Sequence, residues 1–356
     1  MRFSSIFKII ILNIFISKMA HSAVCEERYP PDSEECQYVQ ELEQKAEQGD
    51  ESAQFALGSW YAEGRYVKPD YKLSIKWLEK AGKQGSDFSY FILGYHYNYG
   101  ENFPLSRQKA LEWYRKAAEL GDSSTQEILG DAYMYGDGFP QNTQLALEWY
   151  RRAAAQGLAE AQDAIGVMFM QGEGVSQDYQ QALAWYRKAA RQGLPAAQTH
   201  LGIMSAFGRG VAQSDRQAIA WYRKAAKQDF AKAQYQLGVA YSTGRGVPEN
   251  SRNALKWYLK AAEQGFTPAQ LALGEIYAHG RQGVPKDNKQ AYIWYYMASI
   301  YTEKSKDDCS ALIAERNRLK GTLTPDQLSE TYAAFDLIRR KINQSKEAKK
   351  IARKKY

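Results

Sequence analysis

Cysteine and histidine are scarce: the 356 residues hold three Cys and four His. There is no CxxC, and His96, His200 and His279 are scattered, so nothing has the spacing of a metal-ligand set and no metal or cofactor is expected. G-x-S-x-G, a Walker loop, HExxH and a G-x-G-x-x-G between strand and helix are also missing. No catalytic residue emerges, and the chain is predicted not to be an enzyme. Long apolar runs are lacking too, the longest being Ile9 to Ile16, far short of the ~20 residues that cross a bilayer. That run follows Arg2 and Lys8 and precedes Ala20, Ser22 and Ala23. This is the order of a secretory signal peptide, placed at 1–23, so a periplasmic or secreted protein is expected.

An oxidising compartment changes how the cysteines are read. Cys25 and Cys36 are close enough for a short disulfide loop, which leaves Cys309 over. The formal charge of +7 falls to +4 once Arg2, Lys8 and Lys18 leave with the leader. The basic tail 344–356, "QSKEAKKIARKKY", carries +5 by itself and could touch anionic surfaces or form a solvated helix end. The body between is close to neutral.

What the chain has in abundance is repetition. "ALEWYRKAA" at 110–118 returns as "ALEWYRRAA" at 146–154, and Trp77, Trp113, Trp149, Trp185, Trp221, Trp257 and Trp294 recur every 36 residues, the last after 37. Such a period marks stacked supersecondary units. Counting each unit from Asp50, Ser86, Asp122, Leu158, Leu194, Phe230 and Phe266, position 8 is Leu or Ile and position 9 is always Gly. Positions 4, 5, 8, 9 and 12 share one stripe at 100° per residue, which predicts an amphipathic helix A. Gly64, Gly100, Gly136, Gly172, Gly208, Gly244 and Gly280 at position 15 end it.

Helix B should then start after Asp70, Ser106, Asn142, Asp178, Ser214, Asn250 and Asp287, all good N-caps. Each Gly inside helix A costs ~1 kcal/mol against Ala. Burial of the helix B Trp, roughly 4 to 6 kcal/mol gross, is the expected reason for tolerating it. No single helix pair of this size can bury its own apolar face, so each unit needs its neighbours. The predicted fold is all-α: an α/α superhelical solenoid of seven ~36-residue helix-turn-helix repeats over 50–302. The segment 24–49 should supply an N-terminal cap and 303–343 two closing helices, the second begun by Thr324 and Pro325. Asp229 replaces a junction glycine and marks either a looser hinge or a tolerated left-handed residue.

The Ala-x-Ala-Gln, Leu-Gly, Gly-x-Gly-Val and Trp-Tyr-x-Lys-Ala-Ala motifs make the chain resemble the Sel-one-like repeat (SLR) family, as in "AKAQYQLG…GRGVPENSRNALKWYLKAAEQG". The resemblance covers about 41–340. It implies tetratricopeptide-like helix pairs with the A helices on the concave side, acting as non-catalytic interaction scaffolds of the bacterial envelope. It also implies alternatives: inhibitors (immunity proteins) of secreted lipase toxins, or virulence factors that bind host proteins. The second unit departs from the pattern, with Tyr90 for Gln and "GENF" for the loop.

Two chemical readings remain. Ser106-Arg-Gln-Lys109 matches the S-x-x-K of penicillin-recognising enzymes, but it has neither SDN nor KTG beside it, and Ser106 falls on the shared N-cap position. A β-lactam hydrolase is therefore only a remote alternative. The variable stripe of helix A, positions 3, 6, 10, 13 and 14, should face a groove. There Phe88, Phe91, Tyr95 and Tyr99 meet Glu127, Asp131, Tyr135 and Asp163, which suits a protein or peptide ligand with apolar anchors and Lys or Arg. Alternatively, Phe88 and Phe91 pack on neighbouring A helices. No nucleic-acid partner and a monomer are expected.

Overall fold

The computed structural model describes residues 30, 33–100, 102–281, 283–302 and 310–354. The signal peptide, Cys25, Cys309 and the inserted Gln282 lie outside the described residues. The rest is helical, and among the described residues there is no strand, only an isolated bridge between Arg281 and Val284.

The helices are α1 Glu34–Glu47, α2 Glu51–Glu63, α3 Tyr71–Lys83, α4 Asp87–Tyr99, α5 Arg107–Leu120, α6 Ser123–Tyr135, α7 Thr143–Ala155, α8 Ala159–Gln171, α9 Tyr179–Arg191, α10 Pro195–Phe207, α11 Asp215–Ala226, α12 Ala231–Thr243, α13 Ser251–Ala262, α14 Thr267–His279, α15 Asn288–Thr302, α16 Ser310–Lys320 and α17 Pro325–Lys354. From α2 to α15 they alternate A and B, and consecutive helices pack together from α1 to α7 and from α9 to α15: an all-α solenoid of helix pairs flanked by α1, α16 and α17. The chain divides into two compact units. The first runs to Ile165 and includes Glu173–Ser176, while the second comprises Gly166–Gly172 and everything from Gln177.

Local chemistry sets the boundaries. The side chains of Asp70, Ser106, Asn142, Asp178, Ser214, Asn250 and Asp287 each accept a backbone N–H of the first turn of helix B. Ser106 Oγ does so with the amide of Lys109, so the S-x-x-K match is a helix cap. Thr324 and Gln327 bond reciprocally in a capping box that starts α17. Gly64, Gly100, Gly136, Gly208 and Gly244 end their A helices in the left-handed conformation, but Gly280 has φ 72°, ψ 155° in the loop that carries the insertion. Asp229 takes φ 54° and its carboxylate accepts from Gln234 Nε2 at 3.3 Å.

The reason for the helix A glycine differs from the one read in the sequence. Trp77, Trp149 and Trp294 are buried, whereas Trp113, Trp185, Trp221 and Trp257 are half-buried, so the indole is not what the glycine admits. It is the next residue. A Cβ on Gly130 would lie 2.4 Å from the Tyr150 ring, and Gly94, Gly166, Gly202, Gly238 and Gly274 face Tyr114, Tyr186, Tyr222, Tyr258 and Tyr295 in the same way. Adjacent helical residues point 100° apart, and packing turns the Tyr inward. Each half-buried indole instead carries a cation one turn on: Lys116 sits 3.9 Å from the Trp113 centroid, Lys188 3.8 Å from Trp185, Lys224 4.3 Å from Trp221 and Lys260 5.0 Å from Trp257.

Polar ties join neighbouring units. Gln126 Nε2 donates to Ala118 O at 3.0 Å and its Oε1 accepts from Gln156 at 2.9 Å, a pattern repeated by Gln54 with Ala46 and Gln84. In the second repeat Tyr90 and Leu120 stand where those glutamines would be. The Tyr90 ring fits because Gly82 occupies the place of an alanine, a Cβ there being 2.5 Å from the ring. Tyr90 then stacks on Trp113 at 5.8 Å.

Candidate functional site

The A helices of the first unit, α2, α4 and α6, carry five acidic residues and no Lys or Arg. On them the structure assembles a row of rings: Phe55 to Phe88 at 5.6 Å, Phe88 to Phe91 at 5.6 Å, Phe91 to Tyr95 at 6.5 Å and Tyr95 to Tyr99 at 4.6 Å. The four aromatics singled out in the sequence are thus brought together. Phe88 is 53 % and Tyr99 48 % exposed, too wet for core residues. Phe91 and Tyr95 are half-buried, with Phe91 against Tyr114 at 5.8 Å. The sequence reading omitted Phe55, which extends the row into the first repeat and stands at position 6 as Phe91 does. Comparing that position across units would have found it.

The carboxylates divide. Glu127 and Asp163 are half-buried on α6 and α8, and Tyr135 is 74 % exposed at the end of α6. Asp131 is tied into the fold: it accepts the Tyr150 hydroxyl at 2.6 Å, burial raises its pKa, and the tyrosine's hydrogen bond partly offsets that shift. The Tyr150 hydroxyl is pushed well above its ordinary range by burial and by this carboxylate. Met134, also on the stripe, is buried, because position 13 lies only 40° from Gly130 around the helix. Beside the row, Arg107 of α5 donates to Asn98 Oδ1 of α4 at 2.8 Å and pairs with Asp137 in the loop after α6 at 2.7 Å.

The exposed rings and half-buried carboxylates of this surface suit binding: apolar anchors on the aromatics, cations on the acids. Cys36 is buried and disulfide-bonded, its partner lying outside the described residues, so the structure does not assign the pairing with Cys25. No group of His, Cys, Asp and Glu among the described residues has the arrangement of a metal site, and no described helix is long and apolar enough to cross a membrane.

Seven consecutive segments, 51–86, 88–122, 123–158, 159–194, 195–230, 231–266 and 267–299, match the model of the Sel1 repeat. The chain belongs to the Sel1 repeat family. Its fold is similar to that of a Sel1 repeat protein from Oxalobacter formigenes, with 34 % identity, TM-score 0.67 and coverage of 80 % of each chain. It is also similar to c5321, described as a protective antigen of uropathogenic Escherichia coli strains displaying an SLR fold, with 32 % identity, TM-score 0.61 and coverage of 85 % of this chain. This chain spans 63 % of the length of that antigen. The immunity protein Pa5087 of Pseudomonas aeruginosa shares 23 % identity over 55 % of this chain and 75 % of its own, with TM-score 0.43, a likeness that carries nothing about function. Among curated proteins, none matches the sequence.

Proposed function

We propose that this Sel1 repeat protein is an exported, non-catalytic scaffold of the bacterial envelope that captures a protein or peptide segment along the A-helix face of its first unit. Membership of a repeat family that typically mediates protein interactions supports the general reading. The observation that carries the finer one is the exposed ring row from Phe55 to Tyr99, set among helices that bear acids and no base. A segment with one or two aromatic or aliphatic anchors followed by Lys or Arg fits both features. Tyr135 at the end of α6 adds a ring, and Glu127 and Asp163 add negative charge.

The test uses a photo-reactive benzophenone residue at Ser124, an exposed stripe position beside the row. Irradiation in envelope extract should give a discrete adduct. Phe88→Ala with Tyr99→Ala should reduce it tenfold or more, the scale of two lost hot spots, while far-UV circular dichroism stays unchanged. Equal adduct yield from the variant would remove the groove as the binding site.

A further inference from the structure

The B helices tell a second story. In the second unit α9, α11 and α13 hold nine Lys or Arg and a single acid, Asp215, which is paired with Arg245 at 3.1 Å. In the first unit α3, α5 and α7 hold ten bases but four glutamates, and there Glu79 meets Lys83 and Lys116 while Glu119 meets Arg115. With the C-cap residues Lys227 and Glu263 added the second unit's count is ten bases to two acids, so it presents cations largely uncompensated by carboxylates. Arg187, Arg191, Arg216, Lys227 and Lys256 are all exposed, and none of them has a salt bridge among the described residues.

The side chains between them decide the partner. Lys188, Lys224 and Lys260 lie over the half-buried indoles of Trp185, Trp221 and Trp257 at 3.8, 4.3 and 5.0 Å. Base stacking needs an uncovered aromatic face, and here a cation covers each one, which disfavours single-stranded nucleic acid. A Trp edge beneath a Lys head is instead the pairing suited to a headgroup region, where the cation meets phosphate and the indole sits at the interface. Ala184 and Ala220 leave no long apolar anchor between the cations, so contact would be peripheral and sensitive to salt.

We propose that the outer B-helix face of the second unit docks on an anionic phospholipid bilayer surface. This face is built from other helices than the ring row. The probe is the full chain with vesicles of phosphatidylglycerol and phosphatidylcholine, or of phosphatidylcholine alone, at 50 mM and 300 mM salt. The wild type should co-float only with the anionic vesicles and only at low salt. Changing Arg187, Arg191, Arg216, Lys227 and Lys256 to Gln should reduce partitioning at least tenfold. Five matching changes in the first unit, at Lys72, Lys83, Lys109, Arg115 and Arg151, should reduce it less than threefold.

A charge-retaining variant, Arg187→Lys with Arg191→Lys and Arg216→Lys, should bind as the wild type does, which separates charge from misfolding. The inference is overturned if the wild type ignores anionic vesicles, or if the five-Gln variant binds unchanged and the basic tail therefore carries the contact. Tighter binding to a 20-base-pair DNA duplex at the same salt would overturn it as well.

Discussion

A tyrosine ring lying on a glycine is the smallest decisive feature of this chain. Tyr150 crosses Gly130 and hands its hydroxyl to Asp131, so one contact joins the interior of a helix pair to the acidic side of helix A. The bare glycine costs ~1 kcal/mol of helix propensity, against roughly 4 to 6 kcal/mol of gross burial for an aromatic ring. Packing wins. Gly130→Ala should therefore destabilise in spite of its better propensity, because a methyl carbon 2.4 Å from an aromatic ring forces the two helices apart. The expected loss is about 1 to 3 kcal/mol, the usual cost of overpacking, read as a lower urea midpoint at unchanged m-value. An unchanged or raised midpoint would show that the helices can slide.

Between elements, the junction of the first and second repeats is the informative one. Gln54 and Gln126 tie their neighbours by donating to the last turn of the preceding helix and accepting from the glutamine that caps the following one. At the second repeat three positions change together: Gly82 admits Tyr90, and Leu120 removes the amide that would otherwise point at a phenol ring. Tyr90→Gln alone should cost about 2 kcal/mol or more, through a cavity beside Gly82 and a glutamine facing Leu120. Adding Gly82→Ala and Leu120→Gln should recover most of it. A thermal-denaturation cycle over the three positions measures the coupling, and simple additivity would contradict this account.

For the whole molecule, the near-neutral charge of residues 24–343 conceals segregation: the A helices α2, α4 and α6 carry acids and no bases, while the B helices α9, α11 and α13 carry nine bases and one acid. That separation is what would permit the two proposed binding faces of opposite sign on one chain. Export and the cystine belong to the same scale. Purified from the periplasm or medium, the protein should lack its first 23 residues and have an intact mass two hydrogen atoms below the reduced value. Reduction should free Cys25 and Cys36. A cystine joining Cys36 to Cys309, or none, would refute the pairing, and a retained leader would refute export.

The seven-fold period, the helix ends and the N-caps were legible in the sequence because each is a local property, repeated often enough to be compared within one chain. Asp70 and Gly64 act on their own helix ends, whatever the rest does. Phe88, Phe91, Tyr95 and Tyr99 could be placed on one stripe by the helical period, and the ring row joins them. Three things needed tertiary structure. Whether Trp or Tyr fills the space over the glycine depends on the roll of helix B, which only packing against both neighbours decides. Asp131 bonds a tyrosine from another helix, a partner set by the approach of helix pairs rather than by sequence spacing. The uncompensated cations of the second unit vanish into the total charge and emerge only when each residue is assigned to an inner or an outer face, because electrostatic fields add in space and not along the chain.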